Sequence, residues 1–483
     1  MKNFYVRHKQ IIWIMLIIFA FRLAVYFLNS PYILYQNDTN TYSVFKATEK
    51  INNPPFRQNI FKGEINSLRT PLYPWFIKLV RFIFSSPSGY LPIVISQSII
   101  SLFAVFVLYK IIRKFTNNKK VLFWTTLAYG LQPTIFHWDK VIITESLSLS
   151  FSVFFAYCLI DYLENPKTRK ALWLAIFSFL LVMLRPSFLS VFVIIGVFWI
   201  LRFIINKKDR NQSILGFITS LLCTCLIFAY INANAIQNKT PSLTKASIAN
   251  KIMNLVDADI WRNNNYADIT KIIAESPYWD TSNPSGGKNY ELFHNGIAWR
   301  PFEEKYNLTD EYINEYANDT IGKNKMTYIK QIGKNFINSA KPFVSTLIMT
   351  SSSDKFTGDI DIGYSAIYEG KEDVTSWNFN ALTMLSLLLN GLSFFLYIYI
   401  FVFISFFINL WKWIKGRIDW IELGLCTLII SEILTVVIGC PTDFARLLQP
   451  IIPFVAILLF KQIAEGKWAF VKMKWVDRLF IKS

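Results

Sequence analysis

Apolar residues in this chain gather into long runs separated by short polar connections. The runs are 11–28, 90–112, 121–138, 141–160, 171–185, 187–205, 213–233, 379–410, 420–439 and 447–462. Most approach the roughly 17 to 25 residues that carry a helix across a bilayer. The pattern predicts an all-α polytopic membrane protein with about ten transmembrane helices. The segment PLYPWFIKLVRFIFSS (71–86) is apolar as well, but Lys78 and Arg81 stand near its middle. A charge at mid-bilayer costs at least ~2.5 kcal/mol, so this segment reads as an interfacial helix with its cations at the headgroups.

Two polar stretches interrupt the runs. The first, 29–89, is an irregular outer loop that contains the interfacial helix. The second, 234–378, is long enough to be a soluble domain, with helical spacing in Leu243–Val256, Thr309–Tyr316 and Lys323–Phe336. The expected organisation is therefore an N-terminal transmembrane module (1–233), a mostly helical extracytoplasmic domain (234–378), C-terminal transmembrane helices (379–462) and a basic cytoplasmic tail (463–483).

Charge orients this arrangement. The chain carries a net +18, yet the stretch from Asn234 to Asn380 holds 15 Lys/Arg against 18 Asp/Glu, so the remainder has a net +21. That excess sits in the connections 113–120, 161–170, 206–212 and 411–419 and in the tail, as expected of cytoplasmic loops. Basic character here marks topology in a cell membrane, with both termini cytoplasmic, and gives no reason to expect nucleic acid. The first run follows Lys2, Arg7 and Lys9 and is too long for a cleaved signal peptide, so it is expected to stay as an anchor. Cys158, Cys223, Cys225, Cys426 and Cys440 all lie in or at the end of apolar runs, which leaves the outer domain without disulfides.

The same topology puts seven ionisable residues on the outer face. They are Asp38 (LYQNDTNTY), Arg69 (SLRTPLYP, which also holds Tyr73), Asp139 and Glu145 (FHWDKVIITESLSLS), Arg185 (LRPSF), and Asp443 and Arg446 (CPTDFARLLQP). A lone outer-loop acid is commonly a solvated turn residue, and an Arg at a helix end commonly snorkels to headgroups. Glu145 sits about a turn inside an apolar helix, where an unpaired carboxylate is costly. Convergent carboxylates and arginines at the membrane boundary suit one chemistry in particular. Moving a sugar from a lipid phosphate to a hydroxyl needs a carboxylate to take the hydroxyl proton. It also needs cations to hold the departing phosphate as it gains charge.

These motifs resemble the polyprenyl-phosphate-dependent glycosyltransferases of the C-type (GT-C) fold, within the branch of the protein O-mannosyltransferases and aminoarabinose transferases. The resemblance is carried by NDTNTY, R-T-P-L-Y-P, T-E-S-L-S-L-S (Thr144–Ser150), L-R-P (Leu184–Pro186) and R-L-L-Q-P-I-I-P (Arg446–Pro453), in that order. It implies an inverting transfer from a polyprenyl-phosphate sugar to a protein, lipid or glycan acceptor on the extracytoplasmic side. Asp38 would be the catalytic base and Glu145 a second catalytic carboxylate. Arg69, Tyr73, Asp139, Arg185, Asp443 and Arg446 would contact substrate. Where the O-mannosyltransferases have an Asp-Glu pair, this chain has Asp38-Thr39. No cofactor is required by the resemblance, although a divalent cation (Mg or Mn) held through Glu145 is compatible with it.

Two other functions use similar charges. An O-antigen-type polymerase or ligase places its arginines in large outer loops, whereas 234–378 holds only Arg262 and Arg300. A lipid-linked sugar transporter carries polar groups at mid-membrane, where this chain has Arg22 and Glu432 as exceptions among apolar spans.

Overall fold

The computed structural model describes residues 2–28, 34–35, 70–84, 91–205, 210–238, 243–244, 246–274, 308–340, 366–367, 395–417, 419–440 and 444–466. These are almost entirely helical. The helices before the polar insertion are α1 (Lys2–Leu28), α2 (Leu72–Ile83), α3 (Leu91–Phe115), α4 (Lys119–Gly130), the short α5 (Pro133–Phe136), α6 (Glu145–Glu164), α7 (Thr168–Leu184), α8 (Leu189–Ile205) and α9 (Arg210–Asn238). The polar insertion adds α10 (Ala246–Asp257), α11 (Ala267–Ala274), α12 (Asp310–Lys323) and α13 (Lys325–Ser339). The chain returns through α14 (Phe395–Ile414), α15 (Trp420–Gly439), α16 (Phe444–Leu447) and α17 (Ile452–Ala464). A two-residue antiparallel pair, Leu34–Tyr35 with Ala366–Ile367, is the strand content among the described residues.

Among the described residues, five helices are long and apolar enough to cross a membrane: Leu91–Phe115, Glu145–Glu164, Pro186–Ile204, Arg210–Ile236 and Trp420–Gly439. Ile398–Ile414 and Gln449–Ala464 are shorter apolar helices. The protein is a multi-pass membrane protein. Its helix α6 is the most enclosed, with 67% of its apolar window buried against 22% for α9. Leu221, Leu222, Leu226 and Phe228 on α9 are exposed, as are Val193, Val197 and Ile200 on α8. Apolar surface of that extent fits contact with lipid tails.

The expected span 121–138 is not one helix. Helix α4 has twelve residues, about 18 Å at 1.5 Å per residue, too short to cross alone. It stops at Gly130, and Pro133, which lacks an amide N–H, opens α5 instead of extending α4. A 3₁₀ turn, His137–Lys140, follows. The turn leading to Glu145 is therefore folded into the protein, and every described residue from Trp138 to Ser150 is buried. Gly130 also permits a close approach: a Cβ there would collide with the buried Ile18 of α1.

Within segment 71–86, read above as an interfacial helix, the described residues form the short helix α2. Twelve residues again reach only about 18 Å. Tyr73, Ile77 and Val80 pack inward, while Trp75, Leu79 and Phe82 are exposed. The insertion has its own apolar cluster, with Ile252, Trp261, Ile269, Ile313 and Tyr316 at its centre. Polar contacts seat it on the membrane helices. Asn335 Nδ2 donates to Asn254 Oδ1 at 2.9 Å and to the Val437 carbonyl at 3.4 Å.

At the opposite, basic end, Lys114 pairs with Asp161 and Glu164, both at 2.6 Å, and Lys170 pairs with Asp161 at 2.9 Å. Lys461 binds Asp419 at 2.5 Å and Glu465 at 2.6 Å, with Glu422 at 3.5 Å. Asp419, Glu422 and Glu465 stand close enough together to hold a metal ion. The Lys461 ammonium already supplies the positive charge among them, so the group reads as a staple joining α15 to α17.

Candidate functional site

The end of the bundle opposite those basic connections gathers the polar groups of four sequence motifs. Arg185 ends α7. It precedes Pro186, which disfavours helical backbone in the residue before it, and Arg185 is extended (φ −148°, ψ 128°). A guanidinium at a helix C-terminus is also favoured by the helix dipole. Glu145 is the first residue of α6, where the dipole favours an anion. The two meet: Arg185 Nη1 lies 3.7 Å from Glu145 Oε1, with both side chains buried. Thr144 Oγ1 donates to Glu145 Oε2 at 3.3 Å.

Thr70, the residue after Arg69, is buried and donates to the Leu184 carbonyl at 2.7 Å. That bond ties the R-T-P motif to the L-R-P motif. The 3₁₀ turn Gln449–Ile451 packs against α6, which brings the R-L-L-Q-P motif to the helix that Glu145 opens. Asp38, Arg69 and Asp443 lie outside the described residues. Arg446 belongs to α16, and its side chain is likewise outside them.

Two expected substrate contacts have other partners. Asp139 is fully buried; its Oδ2 accepts from Arg22 Nη1 at 3.1 Å and its Oδ1 from Ser146 Oγ at 2.8 Å. Arg22 also donates to Ser101 Oγ at 2.9 Å and to the Gly130 carbonyl at 3.1 Å. Asp139 is thus a brace that joins α1, α3, α4 and α6, because a buried carboxylate must be satisfied by the protein once water is gone. Tyr73 is buried too, and its hydroxyl donates to Gln97 Oε1 at 2.5 Å. Gln97 Nε2 in turn donates to the carbonyls of Asp139 (2.9 Å) and Val141 (3.1 Å). Tyr73 and Gln97 therefore support the turn before Glu145 from behind.

One cation in that turn was not singled out by sequence. Lys140 is buried, and desolvation alone pulls its amine down to about 8, with no acid among the described residues to offset it. Its signal in the sequence is a basic residue in an outer turn between two apolar runs, against the positive-inside pattern. A buried amine without a carboxylate suits an incoming anion. If it serves a phosphate, kcat/KM for the donor falls as pH rises through about 8, because the amine is protonated below that value and neutral above it. Lys140→Met removes that step from the pH profile; a step persisting in the variant contradicts the role.

Residues 68–247 match the model of a family described as dolichyl-phosphate-mannose-protein mannosyltransferase. That range holds Tyr73, Asp139, Lys140, Glu145 and Arg185. No curated protein matches the chain. Among solved structures, an archaeal oligosaccharyltransferase AglB from Archaeoglobus fulgidus, in complex with an inhibitory peptide and a dolichol-phosphate, is similar at 10% identity with a TM-score of 0.46. The alignment covers 99% of this chain and 53% of that one, so the chain spans about half the length of that protein. The chain resembles the polyprenyl-phosphate-dependent glycosyltransferases, as its ordered motifs indicated, and residues 68–247 carry the match to the family model.

Proposed function

We propose that this protein transfers a sugar, with inversion, from a polyprenyl-phosphate donor to an acceptor hydroxyl at the extracytoplasmic face of the membrane. The observation that carries this reading is the buried Glu145–Arg185 pair, joined by Thr70 to the segment that follows Arg69. The acceptor hydroxyl attacks the anomeric carbon from the side opposite the phosphate. Asp38 takes the hydroxyl proton as the new bond forms, and the phosphate leaves with the electrons of the broken C–O bond. Arg185, Arg69, Arg446 and Lys140 hold that phosphate as its charge grows, while Glu145 orients the acceptor. Asp443 completes the substrate contacts from the last outer turn. Glu145 is also the described carboxylate through which a divalent cation, Mg or Mn, would join the site.

Arg185→Gln tests the reading. Truncating one partner of a buried charged pair costs about 2–5 kcal/mol, so donor KM is expected to rise about thirtyfold or more in the purified, lipid-reconstituted protein. An unchanged KM removes Arg185 from the phosphate site and leaves the proposal without its main support.

A further inference from the structure

Helix α13 (Lys325–Ser339) turns polar residues inward and apolar residues outward. Gln331, Asn335 and Ser339 are buried. Gln331 Nε2 donates to Asn335 Oδ1 at 3.0 Å, and Asn335 in turn bonds Asn254 of α10 and the Val437 carbonyl of α15. The Ser339 hydroxyl shares a hydrogen bond with the Tyr399 hydroxyl at 2.9 Å. On the opposite side Met326, Ile329 and Ile337 are 68%, 57% and 71% exposed. Gly333 stands among them, where an added Cβ would meet open space. At 3.6 residues per turn these four positions form one stripe.

The packing of α13 puts that stripe at a boundary. Tyr328, near its start, rests on the apolar cluster of the insertion, whereas Ile332 and Phe336 rest on the cluster of the membrane helices. The Phe336 ring meets Tyr399 and Phe403 of α14 at 5.4 and 6.1 Å, and α14 itself exposes Ile400, Ile404 and Phe407. Charge sets the stripe apart as well. Between Asp319 and Asp354 the chain carries five lysines and no acid, although the insertion as a whole has more acids than bases. Lys325 borders the stripe on one side and Lys330 and Lys334 border it on the other. All three are exposed, and no ion pair engages them among the described residues.

We propose that the outward face of α13 is a docking surface for anionic phospholipid. Met326, Ile329 and Ile337 enter the acyl layer, as the apolar side of an interfacial helix does. Lys325, Lys330 and Lys334 lay their apolar stems along it and set their ammonium groups on headgroup phosphates. An inward face of hydrogen-bonding side chains suits a helix that grips protein by polar contacts and lipid by apolar ones. A second copy of the same face would oppose lysine to lysine, and like charges brought together are costly. Lipid bound there keeps the insertion seated on α15, because Asn335 of the same helix bonds the Val437 carbonyl. The proposal does not depend on the transferase reading.

The test is photo-cross-linking of the full chain in proteoliposomes of equal parts phosphatidylcholine and phosphatidylglycerol. The photoreactive residue p-benzoylphenylalanine replaces Ile329 or Ile337, and adducts are identified by mass spectrometry. Both positions are expected to give lipid adducts, with phosphatidylglycerol favoured about fivefold, the weight of roughly one basic residue at an anionic surface. The triple variant Lys325→Gln/Lys330→Gln/Lys334→Gln brings the two lipids close to parity, while Arg at the same three positions keeps the preference. Adducts confined to protein, within one copy or between two, overturn the proposal, as does the absence of any adduct. Equal capture of the two lipids by the parent lysines overturns it, and so does a preference that survives the triple variant. If the triple variant loses its melting transition, Lys334→Gln alone is used, and an undiminished preference there counts against the proposal.

Discussion

Replacing Asp38 by Asn is expected to lower turnover by about 10²- to 10⁴-fold, the range a positioned general base contributes, while donor affinity stays within about twofold. An amide keeps the shape of the side chain and its hydrogen-bonding oxygen, but it cannot accept the acceptor's proton. On the proposed reading the donor phosphate is bound by cations elsewhere in the site, so its ground-state affinity is not expected to depend on the base. That separation is the useful signature, because loss of an interaction made only in the transition state lowers kcat and kcat/KM together. The measurement is the steady-state release of free polyprenyl phosphate by parent and variant. Turnover of Asp38→Asn within about threefold of the parent removes Asp38 as the base.

The second large effect concerns stability. Arg22 and Asp139 are 117 residues apart in sequence and meet at 3.1 Å with side chains 3% and 0% exposed. Removing one member of a buried pair strands the other, at about 3–5 kcal/mol. Arg22→Met is therefore expected to lower the melting temperature in detergent sharply. Asp139→Asn, which keeps a hydrogen-bonding side chain, is expected to be milder. The double variant Arg22→Met/Asp139→Leu regains much of the loss, because no uncompensated charge remains. Activity falls with stability in Arg22→Met, since Asp139 and Ser146 anchor the turn that positions Glu145. A double variant less stable than Arg22→Met alone contradicts the pairing argument.

Some of this arrangement was legible in the chain and some was not, for identifiable reasons. Helix α15 covers the expected run 420–439 residue for residue, because its apolar stretch is bounded by a capping aspartate, Asp419, and by Cys440, whose backbone is extended. The segment 71–86, read from its charges as an interfacial helix, contains the helix α2, whose twelve residues are too few to cross. Run 121–138 looked like a span because a hydropathy run records burial, and burial does not require an unbroken helix. Pro133 was the visible warning, and the consequence was a deeply enclosed turn at Asp139–Glu145.

The candidate site divides in the same way. Glu145 and Arg185 were chosen as charges at the ends of apolar runs, and they meet. Asp139 was chosen on the same ground but is satisfied by Arg22 and Ser146. Nothing local in a single sequence distinguishes those outcomes, since the partner of a buried charge is fixed by packing between distant helices. Arg22 and Glu432 stood out only as charges inside apolar runs. An intramembrane charge carries a functional or bracing role by default, and the structure gives Arg22 the brace.

The most direct measurement follows the purified protein, in lipid, acting on a polyprenyl-phosphate sugar. A panel of such donors, differing in the sugar, is incubated with the parent chain and an acceptor mixture, and free polyprenyl phosphate is quantified over time. At least one donor is expected to yield lipid phosphate at a rate that Arg185→Gln and Asp38→Asn both depress. A folded, reconstituted parent that binds these lipids and cleaves none of them contradicts sugar transfer from a lipid phosphate.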